Sequence, residues 1–282
     1  VVLRQGLLER LTADISAFFA SEERYRQLGV PFRRGYLLHG PPGNGKSSLV
    51  EALAGLYDLQ LCVLSLHNRS IDDAALTKLF LSLPSRAAVL IEDVDVAFSR
   101  RCVQRSDGST TTRHTGEIIS VEQRGGACAI TLSGLLNALD GLLAPVDGRL
   151  LFMTTNHRCH LDEALLRCGR LDVQVSVDAP DAPQISTLVR RFLAPSAPHD
   201  KSLACSETDA NKFLRFARRI VETAQTANVT LNMSLLQEFL LVQGAQSISS
   251  EDESLQSLSL VRLIDLCRQQ QRAAVREDYV GR

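Results

Sequence analysis

The chain has 282 residues, of which 45% are hydrophobic, and a formal net charge of −1 from 31 basic and 32 acidic side chains. This length can bury an α/β core and one further small domain, and the balanced charge excludes the basic surface that nucleic-acid binding requires. Seven cysteines, none in a C-x-x-C pair, argue against a disulfide framework or a zinc site.

Near the start of the chain, apolar residues recur at helical spacing over 7–19, and a short buried strand is predicted over 36–38. The strand leads into the run GPPGNGKS at 40–47, which fills the template G-x-x-x-x-G-K-[ST], and a helix is predicted over 48–54. In this template, glycines let backbone N–H groups point at phosphates, the lysine adds a positive charge and the serine hydroxyl binds Mg²⁺. The alternative is a chance turn rich in Gly and Pro. We predict that ATP and Mg²⁺ bind here, with nucleotide contacts from Gly40, Pro41, Pro42, Gly43, Asn44, Gly45, Lys46, Ser47 and Ser48.

Polar residues follow two further predicted strands. After a strand over 61–66, the buried strand 87–91 ends in Glu92 and Asp93, and a strand over 150–155 ends in Asn156. In nucleotidases, carboxylates at such a position hold Mg²⁺ and polarise water, and an uncharged amide is suited to orienting the attacking water. The predicted metal ligands are therefore Ser47, Glu92 and Asp93.

Two arginines, Arg167 and Arg170, stand three residues apart in a short turn before a last predicted strand over 173–177. Paired arginines of this kind are more often surface salt bridges than catalysts. Beside the preceding motifs, however, they are predicted to reach the γ-phosphate of a neighbouring subunit, which is the arginine-finger role supplied in trans.

Strands and helices alternate up to residue 182, which predicts a mainly parallel sheet covered by helices on both faces. The segment 100–127 indicates a surface excursion, either a subunit contact or a plain flexible loop. Helices are predicted over 184–193, 207–225, 233–243 and 254–276, with an interruption at 245–257 and a frayed tail at 276–282. The predicted domains are a helical junction (1–30), a large α/β ATPase domain (31–182) and a helical lid with the tail (183–282).

The ordered segments GPPGNGKS, LIEDVD, TTN and LLRCGRLD resemble the AAA family of ATPases over roughly residues 30–195, and the last two resemble its sensor 1 and second region of homology. This resemblance implies the P-loop NTPase fold, with a parallel five-stranded sheet between helices on both faces and a small α-helical lid domain after it. It also implies ATP hydrolysis in a homo-oligomeric ring, with Glu92, Asp93, Asn156, Arg167 and Arg170 as the catalytic set.

Three longer segments, FRRGYLLH, LIEDVDVAF and SGLLNALDG, resemble one branch of that family. This branch contains the mitochondrial chaperones that translocate the Rieske iron-sulfur protein and complete respiratory complex III. The resemblance implies an ATPase module on the matrix side of the inner membrane, a folded iron-sulfur subunit as cargo, and membrane contact only through an upstream region absent from this chain. The loop over 65–73 contains no aromatic residue and no glycine, unlike the gripping loops of unfoldases. The alternatives are an unfoldase or extractor of other cargo, and a nucleotide-regulated scaffold with little turnover.

Two departures from the family pattern concern the site. Most AAA proteins carry Asp and then Glu at the second motif, whereas Glu92 precedes Asp93 here, an order that the chaperone branch shares. Matched by position, Glu92 takes the metal side and Asp93 activates water. The shorter Asp93 side chain leaves the alternative that Glu92 is the base. Cys168 replaces the proline usual between the two arginines, which is expected to loosen the turn without removing either guanidinium.

Overall fold

A computed structural model of the chain describes residues 2–66, 71–98, 130–141, 148–193, 207–249 and 260–271. Its contacts divide the chain into two compact units. The first, here called the sheet unit, comprises Ile15–Gly40 and Lys46–Ser176, and the second, the helical unit, comprises Val1–Asp14, Pro41–Gly45 and Val177–Arg282. The domain boundaries expected after residues 30 and 182 stay predictions.

The sheet unit is built on five parallel strands: β1 (Arg33–His39), β2 (Gln60–Ser65), β3 (Ala87–Glu92), β4 (Arg149–Thr155) and β5 (Val173–Ser176). Their order in the sheet is β2-β3-β4-β1-β5, and every pair of neighbours is parallel. Among the described residues up to 141, the α-helices are α1 (Leu7–Ala20), α2 (Glu22–Leu28), α3 (Lys46–Leu56), α4 (Asp73–Ser82), α5 (Val94–Ala97) and α6 (Leu132–Gly141). The predicted five-stranded parallel sheet with flanking helices is therefore confirmed.

Burial on both faces explains why the central strands are almost continuously apolar. Leu37 and Met153 belong to a buried cluster that also contains residues of α4 and α6. On the opposite face, Tyr36 and Phe152 stack with their ring centroids 5.0 Å apart, and both side chains are fully buried. A parallel strand covered on both faces has no polar side to alternate with, so its sequence is a hydrophobic run.

The helical unit contains α7 (Ala182–Leu193), α8 (Glu207–Thr226), α9 (Met233–Ser249) and the helical residues 260–271, here called α10. One buried cluster joins them and includes Val189, Ile220, Leu236 and Leu263. The interruption predicted to begin at residue 245 is wrong in its first part, because α9 continues to Ser249. That prediction gave too much weight to the polar residues after 244, although Gln and Ala are good helix formers.

Several predictions fall on residues that the structure does not describe: the excursion at 100–127, the loop residues 67–70 and the tail at 276–282. None of the helices within the described ranges is both long enough and apolar enough to cross a membrane.

Candidate nucleotide-binding site

The phosphate-loop sequence forms a turn between β1 and α3, and Lys46 is the first residue of the helix. By its contacts, Pro41–Gly45 belongs to the helical unit. There the N–H of Ser234 donates to the carbonyl of Gly43 at 3.0 Å, and the N–H of Met233 donates to Oδ1 of Asn44 at 3.2 Å. Gly43 has a φ of 76°, in the left-handed region, and a Cβ there would lie 2.5 Å from Oγ of Ser234. Glycine is therefore required at this position for two separate reasons.

In the sheet unit, Lys46 is 8% exposed, and its ammonium donates to the carbonyl of Gly40 at 2.8 Å and to Oδ1 of Asn156 at 2.7 Å. Burial lowers the pKa of Lys46 below its ordinary value, and the carboxylates of Asp93 and Asp95 act in the opposite direction. A partly desolvated cation attracts an anion more strongly than a hydrated one, because the effective dielectric constant around it is lower.

Ser47 occupies the second position of α3, and its hydroxyl donates to Oε1 of Glu92 at 2.5 Å. Glu92 is the last residue of β3. A hydroxyl and a carboxylate in direct contact are hard oxygen donors, the ligand type that Mg²⁺ takes when substrate phosphates and water supply the remaining positions. The residues present at the predicted metal position therefore fit this ion.

Asp93, the next residue, has φ 47° and ψ 51°, which is a left-handed conformation for a residue with a side chain. Its backbone N–H donates to Oγ1 of Thr154 at 3.2 Å, and its Oδ1 accepts a hydrogen bond from Nδ2 of Asn156 at 3.3 Å. Such a backbone conformation costs about 1–2 kcal/mol and is found preferentially at functional sites.

Five predicted site residues thus lie together at the carboxyl ends of neighbouring strands. Asn156 joins Lys46 to Asp93 through its two amide atoms, and Ser47 contacts Glu92. The strand order explains this arrangement, because β3, β4 and β1 are consecutive in the sheet and each ends at the same edge. In open α/β sheets, ligands bind outside this edge of the strands. Of the other predicted loop contacts, Gly40, Pro41 and Gly45 are half-buried, and Pro42 and Ser48 are exposed.

The two arginines take no part in the hydrogen bonds that join these five residues. Arg167 is exposed, whereas the side chain of Arg170 is 13% exposed and forms an ion pair with Asp140 of α6. The sequence gives no sign that Arg170 is partly buried, and Asp140 stands in it only as part of the longer motif SGLLNALDG. Thr154 likewise stands in the segment TTN, and nothing in the sequence indicates its hydrogen bond to Asp93.

The sequence pattern of the family "ATPase family associated with various cellular activities (AAA)" matches residues 36–179. This chain belongs to the AAA family. Within this family, the chain is similar to proteins named mitochondrial chaperone BCS1. It is 40% identical over 220 residues to the mitochondrial chaperone BCS1 of Homo sapiens, which covers 78% of this chain and 48% of that protein. It is 42% identical over 192 residues to the mitochondrial chaperone BCS1 of Bos taurus, which covers 68% of this chain and 42% of that protein. The chain spans about half the length of these relatives. Membership of the AAA family implies nucleotide binding.

Proposed function

We propose that this chain is the ATP-hydrolysing module of a mitochondrial chaperone that moves a protein cargo. The observation that carries the proposal is the set of three hydrogen bonds at the sheet edge, in which Asn156 joins Lys46 to Asp93 and Ser47 contacts Glu92. These contacts support the proposal, because ATP hydrolysis requires a phosphate-binding cation, metal ligands and a group that activates water close to one another.

Each residue has a distinct proposed role. The backbone N–H groups of residues 40–48 and the Lys46 ammonium bind the phosphates of ATP. Ser47 and Glu92, with Asp93 close by, hold Mg²⁺, which neutralises charge on the phosphates when it is bound. Asp93 accepts the proton of the attacking water, and Asn156 orients both that water and the Asp93 carboxylate, since its amide group already donates to Oδ1 of Asp93.

The active form is proposed to be a homo-oligomeric ring, in which an arginine from one subunit stabilises charge on the γ-phosphate of the next. The exposed Arg167 is available for this role. An arginine supplied in trans accelerates phosphoryl transfer by about 10³–10⁵-fold. Hydrolysis would then depend on assembly and would alternate the position of one subunit against its neighbour.

The cargo and the location are proposed from the relatives, whose names describe mitochondrial chaperones. We infer that the cargo is a folded Rieske-type iron-sulfur subunit, moved across the mitochondrial inner membrane during assembly of respiratory complex III. The ATPase module would face the matrix. Contact with the membrane would come from a region of the protein outside this chain.

A phosphate-release assay on the assembled protein tests the proposal. Lys46→Ala should abolish ATP binding and hydrolysis, whereas Lys78→Ala, an exposed lysine of α4, should leave both unchanged. Mixing Lys46→Ala subunits with Arg167→Ala subunits should restore part of the activity, because some interfaces then pair an intact pocket with an intact arginine. Normal hydrolysis by the Lys46→Ala protein, or full activity in a monomeric preparation, would overturn the proposal.

A further inference from the structure

All three guanidinium nitrogens of Arg170 donate hydrogen bonds within its own subunit. Its Nε donates to Oδ1 of Asp140 at 2.8 Å, its Nη2 donates to Oδ2 of the same carboxylate, and its Nη1 donates to the carbonyl of Ala164. Two parallel N–H···O bonds to one carboxylate form the strongest common geometry for an arginine ion pair, and they fix the plane of the guanidinium as well as its position.

Asp140 lies near the end of α6 and faces several positive groups. The hydrogen bond from Arg170 lowers the pKa of Asp140, burial opposes this effect, and the charges of Arg170, Arg33 and Arg167 lower it further. Nη2 of Arg33 lies 4.0 Å from Oδ1 of Asp140. The carboxylate therefore stays ionised and remains a partner for Arg170 at every pH at which the protein is expected to work.

The backbone of the turn that carries both arginines is docked onto the start of β1. Asp172 accepts hydrogen bonds from the N–H of Gly169 at 2.7 Å and from the N–H of Gly35 at 3.1 Å, and its own N–H donates to the carbonyl of Gly35 at 2.9 Å. A Cβ at Gly35 would lie 1.7 Å from the carbonyl oxygen of Arg170. The turn thus packs directly against the backbone of β1, whereas Arg167, in the same turn, is exposed.

We propose that Arg167 alone reaches the neighbouring subunit and that Arg170 is a positioning residue, which with Asp140 fixes the turn from which Arg167 extends. The inference rests on the proposed function. For Arg170 to reach across an interface, it would have to break both bonds to Asp140 and one to Ala164. Arg167 is exposed and has no such bonds to break among the residues that the structure describes. A displacement of about 1 Å in a group that acts on the transition state can lower the rate by on the order of 10²-fold. A turn that holds Arg167 in a fixed position therefore contributes to the rate of hydrolysis.

A double-mutant cycle on the assembled protein, measured as kcat and KM for ATP, tests this division of roles. Arg167→Ala should lower kcat by about 10³-fold or more, the loss typical of an arginine finger. Asp140→Asn and Arg170→Ala should each lower kcat by about 10²-fold, with KM changed by less than about threefold. The double variant should be no worse than Arg170→Ala alone, because both substitutions break the same pair. Arg26→Ala, which breaks an exposed ion pair with Glu22 and Glu23, should match the wild-type protein.

Two outcomes would overturn the inference while leaving the proposed function intact. One is a normal kcat for Asp140→Asn together with a fall in kcat for Arg170→Ala as large as that for Arg167→Ala. Arg170 would then have a role in hydrolysis that does not depend on its ion pair with Asp140. The other is a loss of ring assembly or a marked fall in Tm in Asp140→Asn, because the pair would then be merely structural. Failure of the proposed function is distinguishable, since it appears as ATP turnover that survives Lys46→Ala.

Discussion

Replacing Asp93 with Asn tests which carboxylate activates the attacking water. The two side chains have the same size, and both tolerate the left-handed backbone that Asp93 adopts at φ 47°. The amide oxygen of the new residue can still accept the hydrogen bond from Nδ2 of Asn156, now 3.3 Å from Oδ1. What is lost is one negative charge and the capacity to take a proton.

The expected magnitude follows from this loss. A positioned general base contributes about 10²–10⁴-fold to the rate, which corresponds to about 3–5 kcal/mol of activation free energy at 1.36 kcal/mol per tenfold. ATP affinity should change by less than about tenfold, because two effects of the Asp93 charge oppose each other. The Asp93 charge stabilises the Lys46 ammonium, since it raises the pKa of Lys46, but it also repels the phosphates. The variant should therefore bind ATP and fail to hydrolyse it.

The assay combines binding of a fluorescent ATP analogue with single-turnover phosphate release. Asp58→Asn is the matched control, because Asp58 is exposed and has nearly the same backbone conformation, with φ 49°. Glu92→Gln should instead raise the Mg²⁺ concentration needed for activity, since Glu92 contacts the Ser47 hydroxyl. The assignment is refuted if Asp93→Asn loses as much ATP affinity as Lys46→Ala. It is equally refuted if Glu92→Gln is the variant that binds ATP normally without turnover.

Two further predictions concern packing in the helical unit. A Cβ at Gly43 would meet Oγ of Ser234 at 2.5 Å, whereas one at Gly29, with φ 64°, would meet no described atom within 4 Å. In urea unfolding, Gly29→Ala should therefore lower the free energy of unfolding by only about 1–2 kcal/mol, the cost of left-handed strain, and Gly43→Ala should lower it by more. Adding Ser234→Ala to Gly43→Ala should recover part of the difference. Equal losses in the two single variants would contradict the clash. Burial raises the pKa of the Cys267 thiol, so the folded protein retains this proton and should lose stability as the pH rises past the pKa of the unfolded thiol, about 8.5. At neutral pH, a thiol reagent should label the exposed Cys159 in the folded protein and Cys267 only after denaturation, as detected by mass spectrometry. Equal labelling rates for the two cysteines in the folded protein would contradict the burial of Cys267.

The phosphate loop and the strands could be predicted because their signals are local. The loop needs its glycines, lysine and serine within eight consecutive residues, and a strand buried on both faces is a short apolar run wherever it occurs. The order of the strands could not be predicted in the same way. A run such as Ala87–Glu92 shows that both faces are covered but contains no signal for its neighbours, which are β2 and β4. The bond from Thr154 to residue 93 depends on that order, and it was therefore missed.

The arginines show most clearly where prediction from the sequence stops. Arg149 is 3% exposed and donates to the carbonyl of Phe80 in the last turn of α4 and to those of Leu83 and Pro84 just after it, so it acts as a cap on that helix. Arg170 is held by a carboxylate, and Arg167 is exposed.

A guanidinium binds carbonyls, carboxylates and phosphates with the same five N–H donors, so residue type and spacing cannot show which partner it takes. Burial imposes the distinction. A buried guanidinium must find acceptors within its own chain, because an unsatisfied buried charge costs several kcal/mol. Only an arginine that water can solvate remains free to exchange water for the phosphate of another subunit. By this argument, the exposure of Arg167 supports the proposal that Arg167, rather than Arg170 or Arg149, acts in trans.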